Sequence, residues 1–243
     1  MFCTMPFITP DLKSKSPPPE DEVIPGVKWG RPEWVPSAAY WAVMGALAGE
    51  EDGFVSRDST LKEQVGFCLL GGFGITAEMN HAVYDRLEGE GVFLPGALTS
   101  ASAIERLLKQ PVEVNGRMIR YRFPNQRSAR VSGAMRLLEE APPSADDPKA
   151  FRNALMSIPG VGPKTASWIT RNWLGSDEVA ILDIHIIRAG RLIGLFDHRQ
   201  KIGRDYEAME ARFLEFALAI EVKPSILDAI MWKSMRKLRL GSV

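Results

Sequence analysis

Apolar residues along this chain recur mostly at helical spacing. From Pro36 onward, Tyr40, Trp41, Val43, Met44 and Leu47 fall on one face of a first predicted helix. Thr60, whose hydroxyl can bond first-turn amides, predicts the cap of a second helix over 61–70, which runs into Gly71-Gly72-Phe73-Gly74. Met79, Val83, Tyr84 and Leu87 mark a third helix, and residues 102–108 a fourth. Strand-type alternation is never sustained, and the best candidates are short pieces at 112–114 and 118–121. After Pro142-Pro143 the pattern predicts helices over about 148–157 and 163–173, another opened by Asp183, and two more over about 205–220 and 225–238. There is no internal repeat. The chain is predicted to be mainly α.

Residues 1–35 break this pattern. Proline and lysine dominate (Lys13-Ser14-Lys15-Ser16-Pro17-Pro18-Pro19), which predicts an extended, partly mobile arm whose end Trp29 and Trp34 would pin to a folded domain over 36–243. At 243 residues, 45% of them apolar, the chain can bury a sizeable core. Thirty basic residues balance thirty acidic ones, so any grip on a nucleic acid must be local. One stretch has such a bias: residues 111–136 carry Arg117, Arg120, Arg122, Arg127, Arg130 and Arg136 against Glu113. A solvated helix face and a phosphate-binding patch are both open readings of it. Two cysteines, Cys3 and Cys68, are too few for a disulfide framework or a four-cysteine cluster, and Cys68 sits in an apolar run that predicts a buried thiol. No ligand set has metal spacing, and neither metal nor cofactor is expected. No apolar run reaches the ~18 residues a membrane span needs, and no signal-peptide core is present. The expectation is a cytoplasmic, intracellular monomer without membrane attachment.

The most informative segment is Leu155-Met156-Ser157-Ile158-Pro159-Gly160-Val161-Gly162-Pro163-Lys164-Thr165-Ala166. Gly160 and Gly162 permit a crowded turn, and Pro163 suits the first turn of the helix that follows. Such a turn sets the amides of Gly160, Val161 and Gly162 beside a helix N-terminus, which suits a DNA phosphate and reads no sequence. A nucleotide-binding P-loop would need Lys directly after its last Gly, and here Pro163 intervenes. Lys164 falls in the helix's first turn, where the positive helix end and partial burial are expected to favour the neutral amine of a nucleophile. Nineteen positions on, the apolar run Val179-Ala180-Ile181-Leu182 delivers Asp183 to the start of another helix. An aspartate there is ordinarily an N-cap, and a catalytic carboxylate is the sharper reading.

Together, the hairpin, the lysine and the downstream aspartate resemble the helix-hairpin-helix Gly/Pro-Asp (HhH-GPD) superfamily of DNA glycosylases. Having lysine as well as aspartate is similar to its bifunctional members, which remove a base and then cut the strand. Tyr121-Arg122-Phe123-Pro124-Asn125-Gln126-Arg127-Ser128-Ala129, Asp183-Ile184-His185-Ile186-Ile187-Arg188 and Leu227-Asp228-Ala229-Ile230-Met231-Trp232 resemble segments of archaeal-type 8-oxoguanine DNA glycosylase/AP lyases. The resemblance implies the HhH-GPD glycosylase fold, with two helical subdomains flanking an active-site cleft and the hairpin at about 148–173. It also implies damaged double-stranded DNA as partner, Lys164 and Asp183 as catalytic residues, Trp232 stacking on the extruded base and Asp228 in the base pocket. Arg127 and Arg130 are candidate phosphate contacts. His185 is read as orienting or packing, with DNA contact as the alternative.

The sequence also departs from that group. Its members end in a Thr-Gly-containing tail with a lesion-recognising lysine, whereas residues 233–241 here read Lys-Ser-Met-Arg-Lys-Leu-Arg-Leu-Gly. Phe73 stands where relatives carry a polar residue that fills the hole left by the flipped base, so it is either a wedge or a core residue. Three functions stay open: excision of oxidised guanine (8-oxoguanine), excision of another damaged base, and non-catalytic DNA binding.

Overall fold

The computed structural model describes residues 17–49 and 59–237. Most helices start where a short polar side chain can take up orphan first-turn amides. Ser37 caps α1 (Ala38–Leu47), Thr76 caps α3 (Ala77–Gly89) and Ser100 caps α4 (Ala101–Lys109). Thr60 opens α2 (Leu61–Leu70) with a capping box, Glu63 reaching back to the Thr60 amide. Beyond these lie α5 (Pro124–Glu140), α6 (Pro148–Leu155), α7 (Pro163–Leu174), α8 (Ile184–Leu192), α9 (Ile202–Ala219) and α10 (Pro224–Lys237). Two antiparallel hairpins complete the set, β1 (Glu22–Ile24) with β2 (Val27–Lys28), and β3 (Val112–Val114) with β4 (Arg117–Ile119). The chain is mainly helical, as its periodicity predicts.

Two separate hydrophobic cores organise these elements. One gathers β1, β2, α1, α8, α9 and α10 around Trp41, Phe213 and Phe216. The other gathers α2 to α7 around Leu69, Leu108 and Phe151. Each such fully buried side chain contributes roughly 1.5–3 kcal/mol. The first core is discontinuous in sequence, joining residues before the hairpin to the C-terminal helices, which agrees with the two-subdomain expectation. Among the described residues, no helix is long and apolar enough to cross a membrane.

Several expectations need correction. From Pro17 to Val35 the chain is no extended arm: Gly26 takes φ +81°, the strands close around it, and Ile24 and Val27 enter the first core. Proline content hid this because the hairpin's apolar signal amounts to these two residues. Trp29 does pack against that core, but Trp34 is half exposed and faces Arg31. Leu47 also lies outside, at 69% exposure. The arginine-rich segment conceals α5, whose apolar stripe of Val131, Ala134, Met135 and Leu138 is buried. Residues 1–16, with Cys3, Lys13 and Lys15, and residues 238–243 of the tail lie outside the described residues.

Candidate active site

The hairpin is built from α6 and α7. Asp147 caps α6 through Lys149 N–H and Ala150 N–H. Between the helices, Ile158 and Val161 turn inward and fix the turn to the second core, while Pro159, Gly160 and Gly162 stay exposed. Gly162 occupies the N-cap of α7 and brings no capping side chain. The amides that open α7 are thus left to an external acceptor, in contrast to α8, which Asp183 caps.

Arg130 of α5 reaches across to this turn, while Arg127 and Arg122 reach the Gly71–Gly74 loop. A Cβ on Gly160, which has φ +98°, would stand 2.7 Å from Arg130 Cδ. One Cβ on Gly72 would stand 3.4 Å from Arg127 Nη2, and one on Gly74 2.9 Å from Arg122 Nη1. The three arginines therefore form a row from the Gly71–Gly74 loop to the hairpin. Arg122 and Arg127 also stack on Phe123, and the buried Arg127 Nε has no hydrogen-bond partner. Phe73, at the tip of the glycine loop, is 98% exposed, so its core reading is overturned. Gly160→Ala is expected to cost about 1–3 kcal/mol of stability, from backbone strain and from displacing Arg130. A thermal melt paired with a DNA titration checks this, and a wild-type melt would mean the turn relaxes freely.

Lys164, in the first turn of α7, is solvent-exposed, so the partial burial expected of it is absent. Its charge acts on Cys68 of α2, which burial pushes up to about 12. The partly buried Cys68 thiol accordingly stays protonated and makes a poor nucleophile.

Asp183 is 7% exposed. Its Oδ1 accepts from His185 N–H at 2.8 Å and from Ile186 N–H at 3.0 Å. Its Oδ2 takes no hydrogen bond from the described residues, so one oxygen caps the helix and the other is available for chemistry. His185 is half-buried and contributes its backbone amide to that cap.

Asp228 is not open to a base. It is buried, paired with Arg171 and bonded by Ile181 N–H at 3.4 Å, which makes it a support beneath the site and not a pocket wall. Burial pushes its carboxyl up to about 7, against the nearby Arg171 guanidinium, and the Asp183 carboxylate adds to the rise. Trp232, one turn further along α10, is 39% exposed, and the Arg236 guanidinium lies 4.3 Å from its ring centroid. One ring face is therefore covered. Among the described residues, no group of three or more His, Cys, Asp or Glu side chains is placed to hold a metal ion.

Sequence reasoning missed the polar interior that connects these pieces: Arg152, Ser167, Arg171, Tyr206 and Glu210, all buried. A weak signal existed. Ser167 and Arg171, and likewise Tyr206 and Glu210, are four apart on otherwise apolar helix faces.

Comparison with known proteins adds a family and a shared fold. A family model described as 8-oxoguanine DNA glycosylase matches residues 57–222. An 8-oxoguanine DNA glycosylase/AP lyase of Saccharolobus islandicus is 34% identical over 124 residues, covering 46% of this chain and 58% of that protein. Its namesake in Saccharolobus solfataricus is 34% identical over 122 residues, with the same coverage. The chain thus spans somewhat over half the length of these curated relatives. Among solved structures, the Thermotoga maritima 8-oxoguanine DNA glycosylase superposes with a TM-score of 0.54 at 23% identity, over 81% of this chain and 86% of that one. A Methanocaldococcus jannaschii 8-oxoguanine glycosylase/lyase, in complex with a 15-mer DNA containing 8-oxoguanine, gives a TM-score of 0.54 at 25% identity, over 74% of this chain and 83% of that one.

Proposed function

We propose that this chain, which belongs to the 8-oxoguanine DNA glycosylase family, excises 8-oxoguanine from double-stranded DNA and then cuts the strand at the abasic site. The observation that carries the reading is a pair of helix starts, one bearing an amine and the other a carboxylate, whose flanking segments share the buried partners Glu210 and Asp228. Lys164 offers an exposed amine in the first turn of α7, and Asp183 offers an unbonded carboxylate oxygen at the cap of α8. The α7 start that carries the amine has no capping side chain, and Arg130 reaches the turn before it, where a backbone phosphate would be gripped.

The chemistry follows from these groups. A base inside a duplex is out of reach, so its nucleotide must rotate out at a cost of roughly a few kcal/mol, offset by phosphate contacts. Exposed Phe73 is suited to enter the stack in its place. The neutral Lys164 amine attacks the sugar C1′, a carbon–nitrogen bond forms, and the glycosidic bond breaks with its electron pair leaving on the base. Asp183 Oδ2 stabilises the positive charge that develops on the sugar. Ring opening gives a protonated imine, which acidifies C2′. Loss of that proton expels the 3′ phosphate and cuts the strand. The open face of Trp232 is the platform for the extruded base.

A panel of duplexes, each with a different damaged base, incubated with borohydride and resolved for covalent adducts, tests the proposal. The expected result is trapping and cleavage strongest on 8-oxoguanine. Adducts on another lesion alone would reassign the substrate, and binding without any adduct would leave a non-catalytic DNA-binding protein.

A further inference from the structure

The stretch Val179–Leu182 that delivers Asp183 is buried and has no strand partner. Buried backbone must still satisfy its amides and carbonyls. Here side chains of α9 and α10 take the place of a neighbouring strand. Glu210 Oε1 accepts from Ala180 N–H at 2.9 Å. The Tyr206 hydroxyl donates to Ala180 O at 2.8 Å and accepts from Leu182 N–H at 3.2 Å. Asp228 Oδ2 accepts from Ile181 N–H at 3.4 Å.

The same two carboxylates hold the hairpin. Glu210 pairs with Arg152 of α6 and accepts from Ser167 Oγ, one turn past Lys164 on α7, at 3.3 Å. Asp228 pairs with Arg171, two turns past Lys164. Both pairs are sealed from solvent, with side-chain exposures of 4% for Arg152 and Glu210, and of 6% and 4% for Arg171 and Asp228. Each carboxylate therefore spans from the helices that carry Lys164 to the segment that carries Asp183. Stability alone is a poor account of two such pairs. Desolvating the ions consumes most of their attraction, and apolar side chains of equal volume commonly do as well. What apolar packing does not supply is a fixed direction, which hydrogen bonds on both carboxylate oxygens do.

We infer that Glu210 and Asp228 are positioning residues that set the Asp183 carboxylate against the Lys164 amine. The inference rests on the glycosylase reading above. Its energetic leverage is large, because a shift of about 1 Å between reacting groups costs on the order of 100-fold in rate.

The test compares two reactions of one protein sample. Excision of 8-oxoguanine needs both Lys164 and the charge-stabilising Asp183. Cleavage of a ready-made abasic site needs the amine, but no base departs and little positive sugar charge develops. The ratio of the two single-turnover rates does not depend on how much of the sample is folded, so a merely structural role leaves it unchanged. Glu210→Gln and Asp228→Asn are expected to lower the ratio roughly tenfold or more. Tyr206→Phe, which strands no charge, carries the same test should either variant fail to melt cooperatively, and its ratio is expected to fall too. An unchanged ratio, whether both rates fall together or neither does, overturns the inference while the wild-type activity stands. A wild-type protein that excises no lesion overturns the functional reading, and this inference with it.

Discussion

Lys164→Gln is expected to abolish both borohydride trapping and strand cleavage, a loss of at least about 10³-fold, while affinity for lesion DNA stays within a few-fold of wild type. The prediction is clean because the side chain is exposed and makes no ion pair among the described residues. Glutamine is nearly as good a helix former, so α7 should start in the same place. The α7 start and the arginines proposed to grip phosphate are untouched. What disappears is the only feature the substitution removes, a titratable amine able to form an imine. The measurement is a gel of trapped adducts beside a binding titration and a thermal melt. Undiminished trapping would mean that another amine, such as the N-terminus, is the nucleophile.

Asp183→Asn separates the capping of α8 from the catalytic job proposed for the same carboxylate. Capping needs an oxygen in the Oδ1 position to accept from His185 N–H and Ile186 N–H, and asparagine provides it. Asparagine caps helices about as well as aspartate, so only a small change in melting temperature is expected. The Oδ2 position, however, becomes an NH₂ group, which points donors at developing positive charge. Base excision is expected to slow by roughly 10²- to 10³-fold, with lesion affinity preserved. Excision kinetics, read with a melt of the same preparation, decide the matter. A fully active variant would strip Asp183 of its catalytic role and leave it a helix cap.

How much of this could be read in the sequence depended on how local its cause is. Thr60 with Glu63, and Asp183 ahead of Ile184, announce helix starts because the bonds they make lie within three residues. The Gly160–Gly162 turn was equally legible, since only glycine accepts the φ that Gly160 adopts. The β1–β2 hairpin was not, because its two core residues gain meaning only against α9, far along the chain. Nor was α5, where arginines that reach back to Gly72 and Gly160 swamped the apolar stripe. Phe73 shows the limit most sharply. The same Gly-Gly-Phe-Gly string could bury or expose a ring, and the decision lies in the loop's supports: Tyr121 holding Leu70 O, Asn80 holding Phe67 O, and Arg127 beside Gly72. Asp228 was misplaced for the same reason. Its partner Arg171 is 57 residues away, and no spacing rule connects the two.

The split of the interior into two cores has a consequence for how the chain finds its structure. The second core uses one continuous stretch, residues 61–174, dominated by neighbouring helices, so its contacts can form early and at low loop-closure cost. The first core cannot. Its N-terminal hairpin is tied to α9 by Arg212 donating to Pro25 O across 187 residues. During synthesis, Ile24, Val27 and Trp41 therefore leave the ribosome long before the helices that bury them exist. The middle of the chain can condense while its N-terminal flank waits, and the order of assembly runs from the inside of the sequence outward.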